Sequence, residues 1–175
     1  SRGMKMKAAL LVSLAYRPRL LVMDEPFSGL DPLVRDELIC GMLELAEEGA
    51  WSVFLSSHDI DEVERLADGV GMLNGGALAL SESTASLQER FRRIELVLAE
   101  SATPSTAQPS WLALEHAGHS VRWVESRYRE GASEAEARAL FPNATTVTTM
   151  PLTLKEIYLV LARAHRIEPS TVSKP

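Results

Sequence analysis

Two places in this sequence put side chains capable of chemistry directly behind short apolar runs. Asp24 and Glu25 follow Leu20-Leu21-Val22-Met23 and precede Pro26, and His58 follows Ser52-Val53-Phe54-Leu55-Ser56-Ser57. Two adjacent carboxylates delivered by an apolar strand suit hydrolysis of a magnesium nucleotide. One carboxylate holds the metal, usually through water, and the other orients the attacking water. Each piece is weak alone. An acidic pair before proline is as often a solvated turn, and a single histidine at a strand end is more often a satisfied structural residue. Their weight depends on the elements that carry them.

Those elements follow an alternating order. Met4, Ala8, Leu11 and Ala15 recur at helical spacing, with Ser1 where an N-cap would stand and Pro18 past the end. The run at 20–23 is too short for a helix and predicts a strand buried on both faces of a parallel sheet. Asp31 as N-cap and Pro32 at the first helical position open a second helix with Leu38, Met42 and Leu45 inward and a stop at Gly49. Residues 52–56 predict another short buried strand, and Asp59 with Glu62 resembles a capping box opening a helix over 60–67. Strand, helix, strand, helix is the rhythm of a parallel α/β sheet, whose ligands bind at the carboxyl ends of the strands. Asp24, Glu25 and His58 all stand at such ends.

Further on, Asn74-Gly75-Gly76 between two apolar runs is a hairpin signal. A short helix is expected over 84–91, strands over 94–100, 121–128 and 145–150, and a Ser/Thr/Pro-rich loop over 101–110. Ser133 with Glu136 and Thr153 with Glu156 have the spacing of helix starts, the second presenting Leu154, Ile157, Tyr158 and Leu161 on one face.

Composition narrows the function classes. The 175 residues are 46% hydrophobic and 24% charged, as in a globular chain with a real core. A net charge of -6 argues against an electrostatic grip on nucleic acid or anionic lipid. The longest apolar stretch, residues 8–16, is far short of the roughly 20 that cross a bilayer. Any contact with a membrane is therefore expected through a partner. Cys40 is the single cysteine, so neither an internal disulfide nor a cysteine metal cluster is available.

With the order in place, the details become informative. Leu20 to Pro26 followed by Ser28-Gly29-Leu30-Asp31-Pro32 closely resembles the Walker B and D-loop segments of ATP-binding-cassette (ABC) ATPases. Upstream, Ser1-Arg2-Gly3-Met4-Lys5 is similar to that family's signature motif, with Arg2 in place of a Gly and Met4 in place of Gln. Downstream, Ser56-Ser57-His58 and the residues through Asp68 resemble the switch-histidine segment. The three motifs stand in the family's order and spacing.

The resemblance implies ATP and Mg2+ as cofactors. Asp24 takes the metal role, through water in the family's manner, and Glu25 is the general base. His58 contacts the γ-phosphate, while Ser1, Gly3 and Asp31 face the ATP of the opposite subunit. A hydroxyl and amides at a helix N-terminus do form an anion site. It further implies a second ATPase subunit (a homodimer), a transmembrane permease as partner and no nucleic acid. The place would be cytoplasmic, at the inner face of the membrane. The fold class implied is α/β. Residues 1–91 would form part of a P-loop NTPase parallel sheet lacking its phosphate-loop strand, and residues 92–175 a small α+β accessory domain. The second segment loosely resembles the extension on ATPase subunits of bacterial ABC-2 type exporters, best over Met150-Pro151-Leu152-Thr153-Leu154-Lys155-Glu156-Ile157-Tyr158.

The sequence contains no Gly-x-x-x-x-Gly-Lys-Ser/Thr loop. Truncation is the simpler account, and the 175 residues alone are expected not to hydrolyse ATP. Two competing readings are the head of a DNA-repair or chromosome-organising ATPase, which would bring heptads that are not seen, and a non-enzymatic interaction module. A translation-factor ATPase would carry Asn-His-Leu-Asp where Ser28-Gly29-Leu30-Asp31 stands.

Overall fold

The structure, a computed structural model, describes residues 2–16, 18–48, 51–100 and 107–167. Ser1, the helix stop at Gly49, residues 101–106 of the Ser/Thr/Pro-rich loop and the tail beyond residue 167 lie outside the described residues. The chain divides into two compact units, Ser1–Ala67 and Asp68–Pro175.

The first unit runs α1 (Arg2–Ala15), β1 (Leu20–Asp24), α2 (Pro32–Glu48), β2 (Ser52–Ser56) and α3 (Ile60–Leu66). As the α/β rhythm predicts, β1 and β2 pair in parallel, from Leu20 opposite Ser52 to Asp24 opposite Ser56. Among the described residues β1 and β2 form a two-stranded sheet of their own. Its covered face, with Leu21, Met23, Val53 and Leu55, meets a core of Phe27, Leu30, Leu38, Ile39 and Met42. The expectation of strands buried on both faces is corrected. Side chains alternate with period two along a strand, and Leu20, Val22 and Phe54 on the other face are exposed.

The helices also differ in part from expectation. On α2, Leu38 and Met42 point inward as read, with Ile39 beside them; the Leu45 side chain lies outside the description. On α1, the stripe through Met4 and Leu11 points outward, 70% and 68% exposed. Met6 and Leu10 pack on the core instead, and Gly3, one turn earlier, is buried. Apolar residues occupy both sides of α1, so its periodicity permits two inward faces. Gly3 decides between them. A Cβ there would lie 2.6 Å from Val34 Cγ1, so only a glycine lets α1 approach α2 this closely.

The second unit opens with the hairpin of β3 (Gly69–Asn74) and β4 (Ala77–Ser83), turned at Gly75 and Gly76 with φ of 57° and 80°. Helix α4 (Thr84–Arg90), capped by Ser83, leads into β5 (Arg92–Leu98). Then follow β6 (Trp111–Ala117), β7 (Ser120–Glu125), α5 (Ala132–Leu140), β8 (Ala144–Pro151) and α6 (Leu154–Ile167). The four strands β6-β7-β5-β8 form an antiparallel sheet. Its core gathers Ile94, Leu96, Leu98, Val121, Trp123, Ala137 and Phe141. Strands β5, β7 and β8 stand where the sequence predicts them. Strand β6 was not predicted, because Glu115 and His116 break its apolar pattern. The Thr153–Glu156 capping box forms in full: the Thr153 N–H reaches Glu156 Oε2 at 2.9 Å and the Glu156 N–H reaches Thr153 Oγ1 at 3.2 Å. The Ser133 box does not form. Gly131, at φ 73°, occupies the cap position, and Ser133 Oγ accepts from the Arg129 N–H instead.

Candidate active site

The site lies within the first unit, at the carboxyl ends of β1 and β2, and the parallel register builds it. Because Asp24 stands opposite Ser56, the Ser56 hydroxyl reaches both carboxylate-bearing residues at once. It donates to Asp24 Oδ1 and accepts from the Glu25 N–H at 3.1 Å, while the same N–H lies 3.2 Å from the Ser56 carbonyl oxygen.

Glu25 leaves the strand with φ 46°, a left-handed backbone in a non-glycine residue. Such a conformation costs about 1 to 3 kcal/mol and persists only where neighbours enforce it. Three features hold it. The two bonds from the Glu25 N–H fix one side, the Ser28 N–H donates to the Glu25 carbonyl at 3.1 Å, and Phe27, 1% exposed, anchors the turn in the core. The turn aims the Glu25 carboxylate across the strand ends, where Oε2 lies 2.7 Å from His58 Nδ1. An ionised carboxylate only accepts, so in this contact Nδ1 carries the proton. The His58 ring is 77% exposed, open to a ligand, and the Glu25 side chain is 36% exposed.

The turn that carries His58 is held from beneath. Ser57 Oγ accepts from the Asp59 N–H at 3.0 Å and donates to Glu62 Oε2 at 2.9 Å. Asp59 caps α3 through the Asp61 N–H, as the sequence predicts. Glu62 does not close the expected box onto the Asp59 amide. It is buried, 6% exposed, and turns to Ser57 and to Arg35 of α2. Arg35 Nη1 donates to Asp59 Oδ2 at 3.0 Å, and its Nε stands 3.2 Å from Glu62 Oε1, at ion-pair distance but outside hydrogen-bond geometry.

Of the sequence-predicted site residues, Asp24, Glu25 and His58 are thus brought together. Asp31 caps α2 by accepting from the Val34 N–H at 3.1 Å. Gly3 is buried against Val34. Ser1 lies outside the described residues. Residues whose role the sequence reading missed are Ser56, Arg35 and Glu62. A signal existed for Ser56, since equal-length strands paired in parallel place their last residues side by side, and for Arg35, one helical turn beyond Asp31.

An open cleft of about 400 Å³ lies before the strand ends, with Lys5 of α1, Asp24, Glu25 and Ser28 on its wall. Among the described residues no three His, Cys, Asp or Glu side chains converge to hold a metal. The Asp24 carboxylate on an open cleft, with the Ser56 hydroxyl held against it, fits Mg2+ that keeps most of its waters and shares its ligands with phosphates. It does not fit a metal caged by protein alone.

A family model described as "AAA domain, putative AbiEii toxin, Type IV TA system" matches residues 1–64. The chain is 33% identical over 93 residues to the bacitracin transport ATP-binding protein BcrA of Enterococcus faecalis, covering 53% of the chain and 30% of that protein. It is 41% identical over 97 residues to the energy-coupling factor transporter ATP-binding protein EcfA of Methanothermobacter thermautotrophicus, 55% of the chain and 30% of that protein. To the nitrate import ATP-binding protein NrtD of Synechococcus elongatus it is 39% identical over 99 residues, 56% of the chain and 36% of that protein. The chain therefore spans about a third of the length of these relatives.

Proposed function

We infer, from the homology of about half the chain to ABC transporter ATP-binding proteins, that these residues supply the carboxylate and histidine side of an ATP-hydrolysing site in a transporter subunit. The observation that carries the reading is the Glu25–His58 contact of 2.7 Å at the ends of two parallel strands, with Asp24 beside it. Glu25 takes the proton of the attacking water, and His58 keeps the carboxylate turned toward the cleft. The exposed ring edge of His58 then meets the phosphate that is to leave. Mg2+, when bound beside Asp24, neutralises charge developing on the phosphates. Ser1 and Asp31 face the nucleotide of a second copy, and Gly3, packed on Val34, belongs to the same helix start. Lys5, on the cleft wall, adds a cation on that side.

The Gly-x-x-x-x-Gly-Lys-Ser/Thr phosphate loop that this chemistry also needs is not among residues 1–175, so hydrolysis is proposed for the protein expressed from its full reading frame. Its partners are a second ATPase subunit and a membrane permease, and its place is the cytoplasmic face of the membrane. No helix among the described residues is long and apolar enough to cross a membrane. Export is the proposed direction, supported by the resemblance of Ser1-Arg2-Gly3-Met4-Lys5 to a signature variant that recurs among bacterial exporters and by the loose likeness of residues 92–164 to exporter extensions.

The test is Mg2+-dependent ATP turnover of the full reading frame. Glu25→Gln is expected to lower turnover by at least about 100-fold with ATP affinity retained, while Asp24→Asn weakens the response to Mg2+. Near-normal turnover in Glu25→Gln would refute the base assignment.

A further inference from the structure

Three features of the first unit are left unexplained by the hydrolysis reading: a buried carboxylate, an arginine that crosses from another helix to meet one of its oxygens, and a serine hydroxyl that donates to the other. Glu62 is the one buried residue of α3, whose other residues are exposed or half-buried, and a buried carboxylate persists only when paired. Its partners are not random. One oxygen accepts from Ser57 at 2.9 Å, the residue immediately before His58, and the other faces Arg35 Nε at 3.2 Å. Arg35 also holds Asp59, the residue immediately after His58, at 3.0 Å. Both neighbours of the histidine are thus tied into one bridge, and the far end of the bridge is α2, whose start is the Asp31 turn that follows Glu25. A small hollow beside the bridge is lined by Glu25, His58, Arg35, Asp59 and Glu62, so the bridge and the reacting pair share one wall.

We propose that Arg35 and Glu62 are positioning residues that fix the backbone on both sides of His58 and so set the distance between its ring and Glu25. The bridge links the turn after β1 to the turn after β2 through a route separate from the strand pairing. A side chain as exposed as His58 has few contacts of its own to hold it; its orientation is inherited from Ser57 and Asp59. The bridge ends on Ser57 and Asp59, the two neighbours of His58, and acts through the histidine.

The proposal rests on the hydrolysis reading for its consequence, though not for its geometry, and two measurements on the full reading frame keep the two apart. In the first, Glu62→Ala is expected to lower kcat by about 100-fold, the order of effect of an ångström-scale misplacement, with KM for ATP changed by less than about 3-fold. With His58→Ala already in place, Glu62→Ala is expected to add less than about 3-fold, because groups acting as one unit are not additive. Glu62→Gln, which can still accept from Ser57, recovers most of the rate. A full additional loss in the His58→Ala background would overturn the proposal.

The second measurement needs no activity. With histidines labelled by 15N, Glu25→Gln is expected to shift the His58 ring resonances in wild type, and in the Glu62→Ala background that response disappears. An unchanged response there overturns the proposal. If Glu62→Ala does not fold, Ser57→Ala removes a single hydroxyl and takes its place in both measurements, with the same expected losses. A wild type without ATP turnover would sink the hydrolysis reading, and the ring response would still decide the positioning role.

Discussion

Gly3→Ala tests the account of how α1 meets α2, and its cost follows from one distance. The added methyl would lie 2.6 Å from Val34 Cγ1, whereas carbon atoms settle at about 3.5 to 4.0 Å. The two helices must therefore part by about 1 Å, or Val34 must leave its rotamer, which a β-branched side chain resists. Overpacking of this kind costs about 1 to 3 kcal/mol. Against it stands the helix-propensity gain of alanine over glycine, at most about 1 kcal/mol in a helix interior and less in the first turn, where Gly3 sits. The net expectation is a loss of about 1 to 2 kcal/mol, a fall in urea midpoint of about 0.5 to 1 M at ordinary slopes. Chemical denaturation of the protein from its full reading frame provides the assay. Val34→Ala removes the atom that the new methyl strikes, so the double variant should lose about 1 kcal/mol or more less than the sum of the single variants. A neutral or stabilising Gly3→Ala, or strict additivity with Val34→Ala, would refute the close-approach reasoning.

Other perturbations reach the remaining parts of the argument. Phe27→Ala empties the anchor of the Glu25 turn, a residue 1% exposed; a loss of about 3 to 5 kcal/mol is expected by thermal or chemical melting, and nucleotide turnover should fall with it. Ser56→Ala removes the hydroxyl that joins Asp24 to the Glu25 amide; turnover about 10-fold lower and a higher Mg2+ requirement are expected by steady-state kinetics. In the second unit, the Arg90 guanidinium, with the Ser86 hydroxyl, holds the Glu82 carboxyl below its ordinary value, and the Thr153 amide does the same for Glu156. Carboxyls lowered by folding stabilise fully above their unfolded pKa, ordinarily near 4.5, and that stability is lost as pH falls through the folded values. Melting followed from pH 6 downward should therefore show a loss below about pH 4.5 that is less steep in Glu82→Gln. An equal slope in that variant would contradict the assignment.

The placement of Asp24, Glu25 and His58 at strand ends was legible in the one-dimensional pattern because it sits where local rules are strict. An apolar run of four residues ending in Asp24-Glu25, a proline after a capping Asp31, and a histidine behind a second apolar run each declare an element and its end without reference to the rest of the chain. The β3–β4 hairpin and the Thr153–Glu156 box were readable for the same reason, since turn and cap geometry involve neighbours in sequence. The alternation of strand and helix then implied the parallel pairing of β1 with β2, which brings Glu25 to His58. What the sequence could not decide was which of several permitted faces turns inward. Helix α1 carries apolar residues on two sides, and the choice of Met6 and Leu10 over Met4 and Leu11 depends on Gly3 meeting Val34, a contact between helices. The alternation in β1 shows Leu21 and Met23 inward only once α1 and α2 are seen to cover one face. The destination of Glu62 was equally hidden: its spacing from Asp59 is that of a local cap, and it is Arg35, 27 positions earlier in the chain, that draws the carboxylate away and buries it beside the histidine turn. Local hydrogen-bonding rules act within a few residues, whereas burial and ion pairing compare all the surfaces that folding brings together, and only the tertiary structure holds that comparison.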